Sequence, residues 1–498
     1  MKFLFTSIIF TFLLSLTSAF SQIVELEQGK IKGSTENTIH SFKGIPYAAP
    51  PIGPLRWHAP QAIARHDGQF DASNFGPLCL QPVRPDRPAP DMSEDCLTLN
   101  VWTPAIDSGK RPVMLFIHGG GFRTGSGNIP GEVFAKKGAV VVSIKYRLGA
   151  LGFFAHDALV DLPANPGLLD AIHALKWVKS NIASFGGDPD NVTIFGYSAG
   201  GMMVNLLASN DKAEGLFGRA IAQSGYAAWP LLRSNKAPNT APLNAINAEN
   251  HARNLIAKLT SEPQTSELLY QLDGTELANT VTTFHVPIVD GNSIEEEPGI
   301  RFIRGEQLDI AYMSGGNSFD GSSMGGLGPT GPSEYEQELG NDLTEARALY
   351  KDDTQSDWLM RMWGDKRYVL SARLLADNMK NKQSNAWLYY TDFVEEEEKS
   401  TSPGTSHGKG SAFLFRVTDK DSTAMKALAN EMQQYYFNFA STGNPNGVGL
   451  PEWPTYNGKS DNWMVFGDDR EAKSGVITEK LDFAEKLYLK RVAPALDQ

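Results

Sequence analysis

An alternation of apolar runs and a helical segment in the first half of the chain constrains the fold more than any other feature. The runs at residues 113–117, 139–144 and 192–195 have the length of buried strands, and each ends at glycine or polar residues. Between the second and third runs, apolar residues recur near helical spacing until Gly186 and Gly187 end the pattern. A strand, a helix and a further strand in this order form a crossover connection, so we predict a parallel sheet covered on both faces.

The second half of the chain continues this pattern. Three further strands are predicted, at residues 220–223, 308–313 and 386–393. Residues 230–300 and 330–385 are predicted to be mostly helical and polar, and neither an internal repeat nor a Pro-rich or Ser-rich linker divides the sequence. We therefore predict a single α/β domain over residues 22–498, with a large, mostly parallel central sheet, covering helices and helical insertions.

Residues 1–21 have the pattern of a secretory signal peptide. Lys2 precedes an apolar run at residues 3–16, and small residues follow this run. The run is too short for a membrane span, and no second segment of about 20 apolar residues follows, so no membrane span is predicted. We expect the protein to be periplasmic or secreted. In an oxidising compartment a disulfide between Cys79 and Cys96 is favoured, with two buried reduced thiols as the alternative.

The charge and the motifs that are missing argue against several classes of partner. The chain has 45 Lys and Arg against 57 Asp and Glu, a formal net charge of -12, which disfavours general binding to nucleic acid or anionic lipid. The sequence contains neither an H-E-x-x-H motif nor a Cys/His cluster. We predict no metal and no organic cofactor.

A G-x-S-x-G motif centred on Ser198 is the main chemical signal. On the order of one chain in a few with this glycine content contains such a pentapeptide by chance, but here it lies between the strand at residues 192–195 and a helical segment. In that setting the serine stands on a tight strand-to-helix turn, with its hydroxyl exposed at the carboxyl edge of the sheet. The free N–H groups at the start of the helix point toward developing negative charge. We predict that Ser198 is a nucleophile.

A nucleophilic serine needs a base, because an alcohol is barely ionised at neutral pH. In the α/β-hydrolase architecture the chain order is serine, acid and histidine. Three of the nine histidines follow Ser198: His251, His285 and His407. His407 lies in a loop after a strand candidate, which favours it as the base over a plain surface residue. Asp320 follows the strand candidate at residues 308–313, and we predict that it orients His407, with a turn-capping role as the alternative.

A run of three glycines follows the predicted strand at residues 113–117. Glycines at positions 119–121 allow the backbone to turn its N–H groups inward, as in the oxyanion hole of esterases and lipases. The alternative is a phosphate-binding loop, but the sequence has no G-x-x-x-x-G-K-S/T pattern and the chain is acidic. We predict an oxyanion hole.

Together these segments resemble the type B carboxylesterases, the cholinesterase-like branch of the α/β-hydrolases. The similarity covers most of the chain after residue 41. The matching segments, in the order of the family, are FKGIPYAAPPIGPLRW (42–57), SEDCLTLNVW (93–102), HGGGF (118–122), YRLGALGFF (146–154), NPGLLDAIHALKWVKSNIASFGGDPDNVTIFGYSAGG (165–201), PIVDG (287–291), GGNSFDG (315–321) and GTSHG (404–408).

The resemblance implies roles for residues at matching positions. It implies the same triad that the chain order predicts, together with three amide donors for the oxyanion: Gly120, Gly121 and Ala199. It also implies a disulfide and two structural ion pairs: Cys79 with Cys96, Arg56 with Glu94, and Arg147 with Asp170. The fold that it implies is the α/β-hydrolase fold.

Three residues depart from the family pattern near the predicted site. Asp320 stands where the family usually has Glu, and its side chain is about 1.5 Å shorter, so the backbone or the imidazole must shift to keep the hydrogen bond. Tyr197 occupies a position that is commonly a carboxylate in relatives. Gly410 sits where a buried Glu often follows the His-Gly pair. Two negative charges are therefore missing beside the site.

The expected substrate is a small-molecule ester, and no selectivity for choline esters is expected. No tryptophan lies between Cys79 and Cys96, and Gly, Ser, Ser and Met follow Asp320, so the ring faces that a quaternary ammonium needs are missing. Thr283 and His285 resemble acyl-pocket positions of the cholinesterases, which implies a roomier or more polar acyl pocket.

The predicted reaction is hydrolysis of a carboxylic ester through an acyl-enzyme intermediate. Because the base must be neutral, we expect activity to rise with pH through an apparent pKa of roughly 6 to 7. The same machinery could cleave a thioester, an amide or a lactone, and these are the nearer alternatives. The more distant alternative is a non-catalytic binding protein on the same fold.

Overall fold

The structure is a computed structural model, and the signal peptide predicted at residues 1–21 lies outside the residues that it describes. The described residues are 22–65, 67–83, 88–238, 241–243, 245–327, 331–379 and 382–497.

Eighteen strands lie within these described residues. They are β1 (Gln22–Leu26), β2 (Gly29–Glu36), β3 (Ile39–Pro46), β4 (Gln69–Asp71), β5 (Leu78–Cys79), β6 (Met92–Ser93), β7 (Thr98–Thr103), β8 (Arg111–Ile117), β9 (Val140–Ile144), β10 (Gly187–Tyr197), β11 (Arg219–Gln223), β12 (Leu232–Arg233), β13 (Ile246–Asn247), β14 (Ile288–Val289), β15 (Ala311–Asn317), β16 (Ala386–Thr391), β17 (Asn462–Phe466) and β18 (Arg470–Ser474).

The α-helices of the described part are numbered α1 to α15. They are α1 (Glu132–Ala135), α2 (Gly149–Gly152), α3 (Pro166–Asn181), α4 (Ala199–Ala208), α5 (Ala248–Ile256), α6 (Ser266–Gln271), α7 (Gly274–Asn279), α8 (Pro298–Ile303), α9 (Gly331–Leu339), α10 (Leu343–Leu349), α11 (Asp357–Gly364), α12 (Leu370–Met379), α13 (Lys409–Phe415), α14 (Thr423–Thr442) and α15 (Thr478–Leu496). A π-helical turn, Asp365–Val369, connects α11 to α12.

Thirteen of the described strands form one large mixed sheet. Its order is β1-β2-β3-β7-β9-β8-β10-β11-β15-β16-β17-β18, and β4 pairs with β2. The seven strands from β9 to β17 in this order run parallel, whereas β1, β2, β3 and β7 at one end and β18 at the other pair antiparallel with their neighbours in this order. The prediction of a large, mostly parallel α/β-hydrolase sheet is therefore confirmed.

Two hydrophobic cores cover the two faces of this sheet. Along β8, Val113, Leu115 and Ile117 belong to one core, and Met114 and Phe116 belong to the other. This alternation is expected for a strand that is buried on both sides, because successive side chains point to opposite faces. Buried residues of α3, α4, α12 and α15 complete the first core, and those of α1, α13 and α14 complete the second.

The structure differs from the sequence prediction in two segments. The strand predicted at residues 308–313 begins at Ala311 and continues through two glycines to Asn317. A side chain at Gly315 would lie 2.3 Å from the carbonyl oxygen of Tyr389, so only glycine allows this close pairing with β16. The prediction that residues 230–300 are mostly helical is wrong, because β12, β13 and β14 form a small parallel sheet there and the four helices α5 to α8 are short. Across the described ranges, no helix combines the length and the apolar character that crossing a membrane requires.

Candidate active site

Five adjacent parallel strands bring the candidate residues to one edge of the sheet. The carboxyl ends of β8, β10, β11 and β15 lead directly to Gly119, Ser198, Ser224 and Asp320, and the loop after β16 carries His407. The carboxyl ends of parallel strands lie at the same edge, which is where open α/β sheets form their sites. Residues that are up to 288 positions apart in the sequence therefore meet.

Ser198 occupies a sharp turn between β10 and α4. Its backbone has φ 55° and ψ −123°, which is a strained conformation for a residue with a side chain. The flanking glycines make the turn possible, because a side chain at Gly196 or at Gly200 would lie 2.6 or 2.1 Å from the carbonyl oxygen of Ile117. The strand-to-helix setting that the sequence predicts is present.

Ser198, His407 and Asp320 form a continuous hydrogen-bonded chain. The Nε2 atom of His407 lies 2.8 Å from the Oγ atom of Ser198, and its Nδ1 atom lies 2.9 Å from Oδ1 of Asp320. Because an ionised carboxylate only accepts, Nδ1 carries a proton, and a neutral imidazole then has Nε2 free to accept the serine proton. Asp320 is 1% exposed, which shields this pair from water.

The second carboxylate oxygen of Asp320 is also held in place. Oδ2 accepts hydrogen bonds from the Ser224 hydroxyl at 2.8 Å and from the backbone N–H of Asn317 at 2.7 Å. No sequence motif marks Ser224. The available signal was its position directly after β11, at the same sheet edge as Ser198.

The loops that carry Asp320 and His407 are docked onto each other. The N–H of Phe319 donates to the Thr405 carbonyl at 3.0 Å, the N–H of Thr405 donates to the Ser318 hydroxyl at 2.8 Å, and the N–H of His407 donates to Ser322 Oγ at 2.8 Å. These contacts bring the two backbones close together. They explain how Asp320, whose side chain is shorter than the Glu usual at this position in the family, still reaches the imidazole of His407.

Tyr368 packs against the imidazole and was also not identified from the sequence. Its ring stacks on that of His407, with 4.6 Å between the centroids and an interplanar angle of 27°. Tyr368 lies in the π-helical turn, far from the triad in sequence, and no local motif marks it. The contact fixes the plane of the imidazole from the side of this turn.

The glycine run after β8 leaves two amides unpaired beside Ser198. Gly120 and Gly121 have φ values of 113° and 65°, which other residues rarely adopt. Their carbonyls accept hydrogen bonds from Thr124 and His285, whereas in the described part of the chain their N–H groups have no acceptor. Ala199 is the first residue of α4, so its N–H also lacks an intrahelical partner. Three free donors are thus available near the serine.

His118 supports this glycine loop through a hydrogen bond and a ring stack. Its Nδ1 donates to the carbonyl of Gly119 at 2.9 Å, and its ring stacks on Tyr146 with 4.4 Å between centroids. Burial lowers the pKa of His118 to about 4. It is therefore neutral at physiological pH and acts as a fixed support for the loop.

The disulfide and both ion pairs implied by the resemblance are present. Cys79 is bonded to Cys96. Arg56 makes a bidentate ion pair with Glu94 at 2.5 and 2.8 Å, and Arg147 makes one with Asp170 at 2.7 and 2.9 Å. Asp170 is fully buried, so its pairing with Arg147 avoids a buried uncompensated charge.

The three predicted substrate-pocket residues line two separate cavities. Tyr197 borders a cavity of about 350 Å³ together with Gly119 and Arg416. Thr283 and His285 border a second cavity of about 510 Å³, which Phe284 also lines and which we call the Phe284 cavity. The Phe284 ring packs against Gly121, because a Cβ atom at Gly121 would lie 2.3 Å from Cδ1 of this ring.

His285, in the wall of the Phe284 cavity, has two of its N–H groups engaged in hydrogen bonds. Its Nε2 donates to the carbonyl of Phe153 at 2.7 Å, and its backbone N–H donates to the carbonyl of Gly121 at 2.9 Å. Burial lowers the pKa of His285 to about 4. The residue therefore shapes the cavity as a neutral, fixed wall.

Among the residues that the structure describes, no group of three or more His, Cys, Asp or Glu side chains is arranged to hold a metal ion.

The fold and this arrangement of residues define an α/β-hydrolase. The model of the carboxylesterase family matches residues 20–484, and the chain belongs to this family. It is therefore a carboxylic ester hydrolase.

Known relatives and solved structures agree with this assignment. The chain is 32% identical to para-nitrobenzyl esterase of Bacillus subtilis, with 92% of this chain and 97% of that protein covered. It is 32% identical to phenmedipham hydrolase of Pseudarthrobacter oxydans, covering 90% and 95%, and 29% identical to mouse cholinesterase, covering 95% and 85%. A solved PNB esterase superposes with a TM-score of 0.81 at 30% identity, covering 93% of this chain and 99% of that chain.

Proposed function

We propose that this protein hydrolyses carboxylic esters through an acyl-enzyme intermediate, with Ser198 as nucleophile, His407 as base and Asp320 as the acid that orients it. The observation that carries the proposal is the hydrogen-bonded chain of 2.8 and 2.9 Å between these three side chains, beside unpaired backbone amides. This is the arrangement that acyl transfer requires.

In the first half of the reaction, Nε2 of His407 takes the proton of Ser198 as Oγ attacks the ester carbonyl. The negative charge that develops on the carbonyl oxygen is stabilised by the N–H groups of Gly120, Gly121 and Ala199. Asp320 stabilises the imidazolium while remaining ionised. His407 then gives its proton to the departing alcohol.

In the second half, a water molecule replaces the alcohol. His407 takes a proton from this water, the resulting hydroxide attacks the acyl-enzyme carbonyl, and the same amides hold the second oxyanion. Collapse of the intermediate releases the acid and returns the proton to Ser198. No step needs a group beyond the residues named here.

Labelling by a fluorophosphonate tests this assignment directly. We expect stoichiometric labelling of the wild type and none in Ser198→Ala, because only an activated serine hydroxyl attacks phosphorus. Ser474→Ala, which removes an exposed hydroxyl from β18, is the matched control and should label like the wild type. Labelling that persists in Ser198→Ala would overturn the choice of nucleophile.

The proposed substrates are esters without a quaternary ammonium. Support comes from the aromatic rings near the triad, since Tyr226, Trp229 and Tyr368 already surround the guanidinium of Arg367. A second cation would be repelled from these ring faces. A rate panel of p-nitrophenyl esters, thioesters, anilides, lactones and choline esters decides, and a strong preference for choline esters would refute this proposal.

We further propose that the protein is exported. Support comes from the signal-peptide pattern of residues 1–21 and from the disulfide between Cys79 and Cys96, which persists in oxidising compartments. Expression of the full chain in its source cells, followed by N-terminal sequencing of the periplasmic and extracellular fractions, tests this. Recovery of the unprocessed chain in the cytoplasm alone would contradict export.

A further inference from the structure

A buried arginine without a carboxylate partner lies next to the catalytic residues. Arg367 is 1% exposed and stands in the π-helical turn between α11 and α12, a type of irregularity that is frequent at functional sites. Five aromatic rings surround its guanidinium carbon, at centroid distances of 3.9 Å for Tyr226, 4.3 Å for Trp229, 5.1 Å for Trp363, 5.6 Å for Tyr368 and 5.8 Å for Phe284.

The charge of Arg367 is not neutralised by any residue that the structure describes. Its Nε and Nη1 atoms are buried and have no hydrogen-bond partner. None of the ion pairs among the described residues includes Arg367, whereas the other buried arginines of this region, such as Arg491 with Glu297, are paired. The surrounding rings offset part of the cost of burying this charge, and an anion would offset the rest.

Arg367 is part of the wall of the Phe284 cavity. Of the five surrounding rings, Trp229 and Phe284 also line this cavity, whereas Tyr226, Trp363 and Tyr368 do not. The first two rings are only partly buried, so they cover the guanidinium on the cavity side. Rotation of these two rings would open Arg367 to an occupant of the cavity.

The same rings connect Arg367 to the catalytic machinery. Phe284 packs against Gly121 of the oxyanion loop, and Tyr368 stacks on the imidazole of His407. A single ring therefore lies between the guanidinium and each of these groups: Phe284 on the side of Gly121 and Tyr368 on the side of His407. A substrate held at Ser198 and extending into the Phe284 cavity would bring its distal end to Arg367.

We propose that Arg367 binds a carboxylate carried by the ester substrate, so that the preferred substrates are monoanionic esters such as hemiesters of dicarboxylic acids. This inference rests on the proposed function, because the ester bond must be cleaved at Ser198.

The chemistry of the cavity wall favours a carboxylate as the occupant. The guanidinium offers donors only, in a planar fork that matches the two oxygens of a carboxylate. Of the two acidic residues of the wall, Asp342 lies 3.7 Å from Lys486 and 3.8 Å from Lys490, and Glu338 is exposed to solvent.

Two pairs of substrates, each an anion and its uncharged methyl ester, test the proposal and locate the carboxylate. Mono-p-nitrophenyl glutarate and methyl p-nitrophenyl glutarate place the charge on the acyl part. The pair 4-acetoxybenzoate and methyl 4-acetoxybenzoate places it on the alcohol part. For each pair, the ratio of kcat/KM on the anion to kcat/KM on the methyl ester is measured in the wild type, Arg367→Gln and Arg367→Lys.

We expect this ratio to fall at least fivefold in Arg367→Gln for one of the two pairs, mainly through KM, and to recover partly in Arg367→Lys. Lys473→Gln is the matched control, because it removes an exposed positive charge on β18, outside the cavity wall; its ratio should stay within twofold of the wild type. If the guanidinium only packs against the rings, Arg367→Gln slows both members of each pair equally. A fall of less than fivefold in both pairs overturns the proposal.

Inhibition of the wild type decides the question if Arg367→Gln does not fold. Glutarate should compete with an uncharged p-nitrophenyl ester, whereas dimethyl glutarate should not. Equal inhibition by both, or none by either, overturns the proposal. If uncharged esters are hydrolysed and labelling depends on Ser198, but the ratio does not change, only this inference is removed. If neither hydrolysis of uncharged esters nor Ser198-dependent labelling is found, the proposed function is removed as well.

Discussion

The triad and the Phe284 cavity are connected through Tyr368, which stacks on His407 and borders the guanidinium of Arg367, but their polar groups are in opposite states. Both carboxylate oxygens of Asp320 and both ring nitrogens of His407 have a partner at 2.7–2.9 Å. In the cavity wall, by contrast, two nitrogens of Arg367 have no partner in the described part of the chain.

This difference separates two tasks of one site. Catalytic groups that are already hydrogen-bonded hold their geometry before substrate binds, which is how preorganised sites lower the barrier. A wall with unpaired donors gains its hydrogen bonds only when a ligand arrives, so it selects the ligand by chemistry. Variants on the triad side should therefore affect kcat, and variants on the cavity side should affect KM and substrate preference.

The largest expected effect is on the triad side. In His407→Ala we expect kcat/KM on p-nitrophenyl esters to fall by about 10⁴-fold or more, because Ser198 loses its base and Asp320 loses the imidazole that it orients. His40→Ala, on β3 among the antiparallel strands, is the control and should retain activity. Residual activity within a hundredfold of the wild type would show that another group serves as base.

A smaller effect is expected when the acid is lengthened. In Asp320→Glu we expect kcat to fall by about 10² to 10³-fold, because the added methylene pushes the carboxylate out of the bonds that Ser224 and Asn317 make with Oδ2. Asp468→Glu, at an exposed site, is the control. Steady-state kinetics together with a melting curve separates misplacement from unfolding, and wild-type kcat in this variant would contradict the assignment of Asp320.

The neutral histidines that support the oxyanion loop and the cavity link stability to pH. Burial lowers the pKa of His118 and of His285 from 6.5 to about 4, so the unfolded chain binds more protons than the folded one between these values. The stability that each contributes is therefore complete above pH 6.5 and is lost as the pH falls through 4. We expect a decrease of up to about 3 kcal/mol per histidine in the free energy of unfolding.

Urea denaturation of the wild type and His285→Asn between pH 4 and 7 checks this linkage. The variant should be less stable at pH 7 and should lose less stability on acidification, since only His118 remains of the pair. Parallel curves for the two proteins would show that His285 titrates normally in the folded state.

The smallest predicted effect concerns the support of the acid. In Ser224→Ala we expect kcat to fall about tenfold with little change in KM, because Oδ2 of Asp320 loses one hydrogen bond of roughly 1 kcal/mol or more. Ala adopts the positive φ of this residue as readily as Ser does. An unchanged kcat would mean that the N–H of Asn317 suffices to hold the carboxylate.

The sequence predicted those features that depend on local pattern or chain order. Apolar runs identified the central parallel strands, and the order of serine, acid and histidine singled out Ser198 and His407 from many candidates. The antiparallel strands β1 to β3 escaped prediction, because their half-buried pattern mixes apolar and polar residues in short segments.

Features that depend on contacts between distant segments were not predictable in this way. Ser224 and Tyr368 carry no motif, and their roles arise only where β11 and the π-helical turn meet the triad. The state of Arg367 is likewise a property of the packed structure, since an arginine in a sequence does not reveal whether an acid lies nearby.

The docking of the acid loop onto the histidine loop has a consequence for anyone who would re-engineer this protein. The side-chain length at position 320 and the distance between the loops that carry Asp320 and His407 depend on each other. Replacing only one of them with the corresponding feature of a relative that has Glu would therefore disrupt the hydrogen bond to the imidazole. A graft should exchange residues 317–322 and 404–408 together.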